Sequence, residues 1–440
     1  MIKFSQPRSL GTIFANNVER GDLMAKTLVY QLYPLAWPDG LEGMTQHLSR
    51  VADLGVDYVW LSPIYPSPLD DGGYDIANYK DIDRRYGRFR DFDRFVDTAH
   101  RYGIGVLMDL VLNHTSTCHK WFKNHPEFYC WSKTDRPGWK NLFNGGSAWN
   151  YLDKEDLYYL HLFHPFQADL NWFPEGQLNG ALVEKFQSIV DFWVQRHQVD
   201  GFRLDVPQSI NKNFESETLE FSDLLYGHQA VEVLNAVFAG GDLPFLMMEC
   251  FDPTFGEITD YYAENTSVDY ILNVLIKEEI AQGELRFIGL IDRQARNSHF
   301  MLDLESHDSP RFPSRNIVVK NNEPPRKGTP ADAIWYLFNS GAEGICLYQG
   351  QELGLDNPTK KKLSNDDLLK LDAQTSMRYI KGEDLDALRP TSRANARIPL
   401  PLHEYVKQQA NPSSYYNLTK DWIMRWRHGS FHENIQESGC

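Results

Sequence analysis

Cysteine is scarce in this sequence. The 440 residues contain five, at positions 118, 130, 250, 346 and 440, odd in number and without CxxC spacing. That pattern excludes a disulfide framework and a cysteine-based zinc site, and it points to a reducing compartment. No apolar run approaches the roughly 18 residues that a membrane span needs. The first 23 residues lack the apolar core of a signal peptide. No basic block interrupts a formal net charge of −16, which argues against nucleic acid or an anionic membrane as partner. Repeats and low-complexity tracts are also missing. The expectation is a cytoplasmic protein with a small-molecule partner, its oligomeric state open.

The composition present is that of a globular protein, 42% hydrophobic and 24% charged. The length allows one large domain with insertions, or two or three domains. Aromatic residues reach 13%. Flat aromatic faces suit sugar rings, and a large core accounts for them equally well.

From Thr27 onward, short β-like runs alternate with helical stretches. The runs are TLVYQLY (27–33), YVWLSP (58–63), GVLMDLV (105–111), GFRLDV (201–206), FLMMEC (245–250), VDYILN (268–273), HFMLDLE (299–305) and GICLYQG (344–350). They are continuously apolar, as parallel strands covered on the outside must be. Helical patterns at 43–55, 89–103 and 181–198 lie between them. Eight β/α units predict a (β/α)8 TIM barrel. Residues 114–175, rich in Trp, Asn, Gly and Pro, break the alternation and read as a subdomain inserted after strand three. A second irregular stretch covers 351–411, and 417–428 reads as a last helix. The expected organisation is a disordered extension over 1–23, a barrel over 24–113 and 176–430, the insertion between those two parts, and a tail over 431–440. Little or no C-terminal β-sandwich is expected.

Arg203 and Asp205 stand two apart in GFRLDV, so on a strand they share a face. A cation beside a carboxylate keeps it ionised and aimed. An isolated RxD is as a rule a structural ion pair, so its company decides. Barrel sites are built at the C-terminal ends of the strands. There the sequence places Tyr74 and Asp75 after strand two, Asn113 and His114 after strand three, Glu249 on strand five, and His307 with Asp308 after strand seven. Four carboxylates, two histidines and an arginine therefore converge on one rim. Glycoside hydrolysis needs two carboxylates flanking the bond, one ionised and one protonated. Asp205 suits the nucleophile, and Glu249, in an apolar run, suits the acid. Asp308 would grip sugar hydroxyls, with His114 and His307 donating hydrogen bonds to them. A metal reading of the same set is weaker, because Arg203 would repel a divalent cation. No cofactor or metal is expected.

DLVLNH (109–114), GFRLDV, Glu249 and SHD (306–308) resemble, in order and spacing, the four signature regions of the α-amylase superfamily. QLYP (31–34), 61–87, NHTSTCHKWF (113–122), QADLNW (167–172) and SRANARIPL (392–400) are similar to its oligo-1,6-glucosidase and dextran glucosidase branch. The resemblance implies that Asp75 and Arg397 bind the 4-hydroxyl of a terminal glucose, with Tyr74 packed on that sugar, and hence exo action. It also implies an α-1,6 preference from Val206, where the α-1,4 members carry Thr. The sequence departs from the branch at the loop 36–43, which retains only Asp39 and Glu42 as carboxylates, so no calcium is expected there. Met248 and Cys250 flank the acid, and Cys250 is expected to confer thiol sensitivity. The implied activity is a retaining exo-α-glucosidase on short α-1,6-linked glucosides. A glucosyl transferase or isomerase of the sucrose isomerase or trehalose synthase type, using the same covalent intermediate, is the alternative. An inactive barrel serving as a partner subunit is the remote one.

Overall fold

The computed structural model describes residues 26–240, 244–276, 299–317, 326–399, 401 and 407–428. The expected extension 1–23 and tail 431–440 lie outside the described residues. Eight parallel strands close into a barrel: β1 (Thr27–Leu32), β2 (Tyr58–Leu61), β3 (Gly105–Val111), β4 (Gly201–Asp205), β5 (Phe245–Cys250), β6 (Tyr270–Asn273), β7 (Phe300–Asp303) and β8 (Gly344–Tyr348). Each pairs with its sequence neighbours, and β8 closes on β1. All eight expected strands are present. Helices α1 (Gly40–Asp53), α2 (Phe89–Arg101), α3 (Gly180–Asp191), α4 (His228–Val237), α5 (Glu257–Asn265), α6 (Pro330–Asn339), α7 (Ala373–Ile380) and α8 (Tyr415–His428) are the longer ones among the described residues.

Strand alternation sorts the side chains. Outward residues such as Leu28, Tyr30, Phe202, Leu204 and Leu246 join one large core with the helices. Inward residues near the strand starts, among them Val29, Leu107, Met247, Tyr270, Met301 and Cys346, form a separate apolar plug. Further along the same faces the inward residues become Asp109, Arg203, Asp205 and Glu249. The barrel is thus apolar at the bottom and polar at the top, and register sets the polar layer. Arg203 lies directly beside Asp109 in the β3–β4 ladder.

After β3 the chain leaves the barrel. His114–Ser116 pairs antiparallel with Gln167–Asp169. Between them Trp131–Ser132, Leu157–Leu160 and Trp149–Leu152 form a small antiparallel sheet. Its own core includes Cys130, Trp139, Trp149 and Leu160, and takes in Leu219 and Leu224 from the segment after β4. The loop before α1 is a single 3-10 turn, and Glu42 pairs with Arg94. Among the described residues no cluster of His, Cys, Asp or Glu could hold a metal ion. No helix among them is long and apolar enough to cross a membrane.

One buried ammonium ties this excursion to the barrel. Lys212 Nζ donates to Asn113 Oδ1 at 2.7 Å and to the Ser209 carbonyl at 2.6 Å, and lies 3.1 Å from Asp169 Oδ2. Asn113 follows β3, Asp169 ends the antiparallel pair and Ser209 follows β4. Three oxygens from three segments surround a cation carried by the chain itself. Removing one member of a buried ion pair strands the other and costs about 3–5 kcal/mol. Lys212→Met should therefore lower the urea midpoint by that equivalent. A loss below about 0.5 kcal/mol, typical of surface changes, would rule out the tether.

Candidate active site

A cavity of about 490 Å³ opens at the C-terminal end of the barrel. Of the residues expected there, Tyr74, His114, Asp205, Val206, Glu249 and Asp308 line it. Arg203, His307 and Arg397 stand behind that lining, each about 1% exposed. Asp75 belongs to neither group.

Arg203 organises the floor. Its Nη1 donates to Asp205 Oδ1 at 2.6 Å and to Asp109 Oδ1 at 2.9 Å, and its Nη2 donates to Glu249 Oε2. The guanidinium sits over the Trp60 ring at 4.8 Å. Trp60 Nε1 and Tyr74 OH both donate to Asp109 Oδ2, at 3.0 and 2.9 Å. Asp109 thus fixes the arginine, and the arginine fixes Asp205 and Glu249. Three carboxylates share one cation. Burial pushes Asp205 well above the usual carboxylate range, and the charges of Glu249 and Asp109 add to it, outweighing Arg203. The arginine that the sequence places beside Asp205 is thus shared with Asp109 and Glu249, and burial with these neighbouring charges works against its ionising effect.

Asp308 is the opposite case. Burial alone would raise it, but His307, Arg393 and Arg397 hold it well below the ordinary range. Arg397 Nη2 donates to Asp308 Oδ1 at 2.6 Å and Arg393 Nη1 at 3.2 Å. His307 stacks on Tyr74 with centroids 4.9 Å apart, and its Nε2 lies 3.1 Å from Asp308 Oδ2. Burial brings both His307 and His114 down to about 4, so both are neutral in any near-neutral buffer.

The structure relocates the expected end of the pocket. Asp75 is fully buried, and its carboxylate accepts from Ser67 Oγ at 2.7 Å and from the Asp70 and Asp71 amides. It shapes the turn 67–71, and does not reach the cavity. The carboxylate that reaches it is Asp71, paired with Arg393 at 3.0 Å. Arg393 also pairs with Asp372 at 2.9 Å and stacks on Phe143 of the inserted segment at 5.0 Å. Arg397 braces Asp308 from behind. Gly72 makes room for it, since a Cβ there would lie 2.5 Å from Arg397 Nη1, at a φ of +59° that already favours glycine. LDDGGYD offers three carboxylates and SRANAR two arginines. The turns that choose among them carry no periodic signal. Cys250 is also corrected: it points out of the barrel, fully buried, and burial pushes its thiol well above its ordinary value, against thiol sensitivity.

The α-amylase catalytic-domain model matches residues 13–399. The chain belongs to the α-amylase family of glycoside hydrolases. Among curated relatives it is 32% identical over 421 residues to trehalose-6-phosphate hydrolase from Escherichia coli, covering 85% of this chain and 74% of that one. It is 31% identical over 414 residues to glucan 1,6-alpha-glucosidase from Streptococcus pneumoniae, with the same coverage. Its identity to oligo-1,6-glucosidase from Heyndrickxia coagulans is 30% over 430 residues, 85% of this chain and 76% of that one. Among solved structures, trehalose-6-phosphate hydrolase from Bacillus licheniformis superposes with a TM-score of 0.74 at 27% identity, covering 92% and 83% of the two chains. Trehalulose synthase from Pseudomonas mesoacidophila superposes with a TM-score of 0.77 at 22% identity, covering 91% and 83%, and shares the fold.

The buried histidines give this protein a pH signature. Burial lowers His114, His119, His161 and His307 to about 4, and His47 to about 3. Each regains its ordinary value on unfolding, so the unfolded chain binds protons first as pH falls. Their contribution is present above about pH 6.5 and is lost toward pH 4, at up to about 1.4 kcal/mol per pH unit for each group. Urea midpoints across that window should fall steeply on the acid side. A flat profile would exclude neutral burial of these rings.

Proposed function

We propose that the chain is a retaining exo-α-glucosidase that cleaves short α-1,6-linked glucosides. One observation carries the reading: Asp205 and Glu249 are held by the two Nη atoms of a single guanidinium. A shared guanidinium keeps the two carboxylates close together, as the short carboxylate spacing of a double displacement requires.

Glu249 protonates the glycosidic oxygen. Asp205 attacks the anomeric carbon and forms a β-glucosyl ester as the leaving alcohol departs. Glu249, now ionised, takes a proton from water, which displaces Asp205 and releases α-glucose. Once Glu249 turns to the leaving oxygen, Arg203 serves Asp205 and Asp109, and the nucleophile ionises. Asp308, ionised by its two arginines, holds ring hydroxyls, and the Asp71–Arg393 pair forms the blind end that limits action to a terminal sugar. Val206 supports the α-1,6 preference. It lines the cavity beside the nucleophile in a left-handed conformation at φ +32°, strained for a β-branched residue, which carries the chain out of β4.

A second reading draws on the rim. Leu142, Phe143, Phe163, Leu219, Phe221 and Phe251 make the outer lining largely apolar. Such a rim favours a sugar over water as acceptor, and so favours glucosyl transfer or isomerisation through the same intermediate.

A panel of isomaltose, maltose, sucrose, trehalose and trehalose 6-phosphate, followed by anomer-resolved NMR, separates these readings. α-Glucose as first product from isomaltose is the expected result. β-Glucose would end the double displacement, and isomerised disaccharide with little free glucose would favour transfer. Asp205→Asn should lower kcat by about 10⁴-fold or more. Val206→Thr, nearly equal in shape, should shift the isomaltose-to-maltose ratio of kcat/KM toward maltose. An unchanged ratio removes Val206 as the linkage determinant.

A further inference from the structure

A second cleft, of about 280 Å³, lies on the outer side of the barrel between the segment after β2, the short helix Lys120–Asn124 and α3. Lys80, Lys120 and Lys185 line it, with Tyr79, His119 and Trp121, and no carboxylate is among its lining residues. On a chain of net charge −16, such a concentration of cations is out of character. Lys80 Nζ donates to Ser188 Oγ at 2.6 Å, one turn of α3 beyond Lys185. Burial and then the charge of Lys185 depress Lys80, with Asp191 as the acidic group acting on it. Two ammonium groups are thus held close enough to repel.

His119 gives the cleft a fixed donor. Its Nδ1 accepts from the Trp121 amide at 3.1 Å, so the single proton of the neutral ring resides on Nε2. The side chain is 6% exposed and lines the cleft, and no hydrogen bond from its Nε2 is seen among the described residues. An N–H donor on a cleft lined by three lysines and no carboxylate suits an acceptor that carries negative charge.

We infer that this cleft binds a phosphate-type oxyanion, either free or carried on a small sugar. His119 Nε2 and the three lysines would satisfy its oxygens. The volume exceeds that of phosphate alone and leaves room for a small sugar. The site is separate from the catalytic cavity but adjoins its wall. Tyr79 OH donates to the carbonyls of Val111 and His114, at 2.8 and 3.0 Å, directly behind a residue that lines the catalytic pocket. The inference is independent of the reading of that pocket.

Isothermal titration of the full chain at low ionic strength, with inorganic phosphate and separately with glucose 6-phosphate, tests it. Saturable binding is expected, weakened at least about tenfold in a Lys120→Glu/Lys185→Glu variant, an affinity loss of about 1.4 kcal/mol. Asp308→Asn, which alters only the catalytic cavity, should bind as the unmodified protein does. Lys185→Arg, which keeps the charge, should also bind, so a folding defect in the double variant would not mask the result. Equal affinities would assign free phosphate, and tighter glucose 6-phosphate would assign a sugar phosphate. Absence of saturable heat, heat unchanged in the double variant, or heat lost in Asp308→Asn would each overturn the inference.

Discussion

Arg203 lies at the floor of the cavity with Asp109, Asp205 and Glu249 around it. Four charges buried together are expensive unless each has a partner. Here the partners are supplied by adjacent strands in register, so the barrel itself sets the distances. Asp109 anchors the guanidinium with help from Trp60 and Tyr74, and Asp205 and Glu249 share the remaining donors. With three carboxylates around one cation, burial and the neighbouring charges push Asp205 up, and on the proposed mechanism this favours keeping a proton available at the site.

The upper half of the site needs a different solution, because its residues come from loops. Asp71, Asp308, Asp372 and Phe143 belong to four separate segments, and Arg393 touches all four. Arginine suits this place for its planar, multidirectional donors; a lysine could serve one partner well and not four. Lys212 plays the corresponding part at the root of the inserted segment, where three oxygens converge on one point and a compact ammonium suffices. Two built-in cations thus hold loops in place where main-chain pairing does not.

Much of this was legible in the sequence because strands impose strict rules. A two-residue period put Arg203 beside Asp205, and continuous apolar runs marked all eight strands with their polar ends. Asp205, Glu249, Asp308 and His114 sit on or close after a barrel strand and reach the cavity, and Tyr74 reaches it from the long loop after β2. The reading weakened where loops take over. Asp71 and Asp75 differ by four residues in one turn, Arg393 and Arg397 by four in another. Hydrogen bonds from Ser67 and two amides turned Asp75 inward, and Asp71 was left to face the cavity. No periodicity reports such a choice. Protonation was illegible for a related reason. A sequence shows that Arg203 stands beside Asp205. That Asp109 and Glu249 share the same guanidinium becomes visible only when three strands are laid side by side.

The same division bears on specificity. One part of the pocket is built from charged groups with fixed partners, Asp308, Asp71 and Arg393, and on the proposed reading its demands on a sugar would be stereochemical. The same cavity is lined as well by phenylalanine and leucine side chains, with Lys140 and Glu220 as further charged groups. Apolar faces discriminate by shape, and a one-methyl difference in such surroundings is worth about 1–3 kcal/mol. Val206 lines this cavity directly after Asp205, in a strained left-handed backbone conformation. On the proposed reading, recognition of the transferred glucose would be rigid and electrostatic and choice of the bond to be cut would be steric, so that single substitutions could change the second without the first.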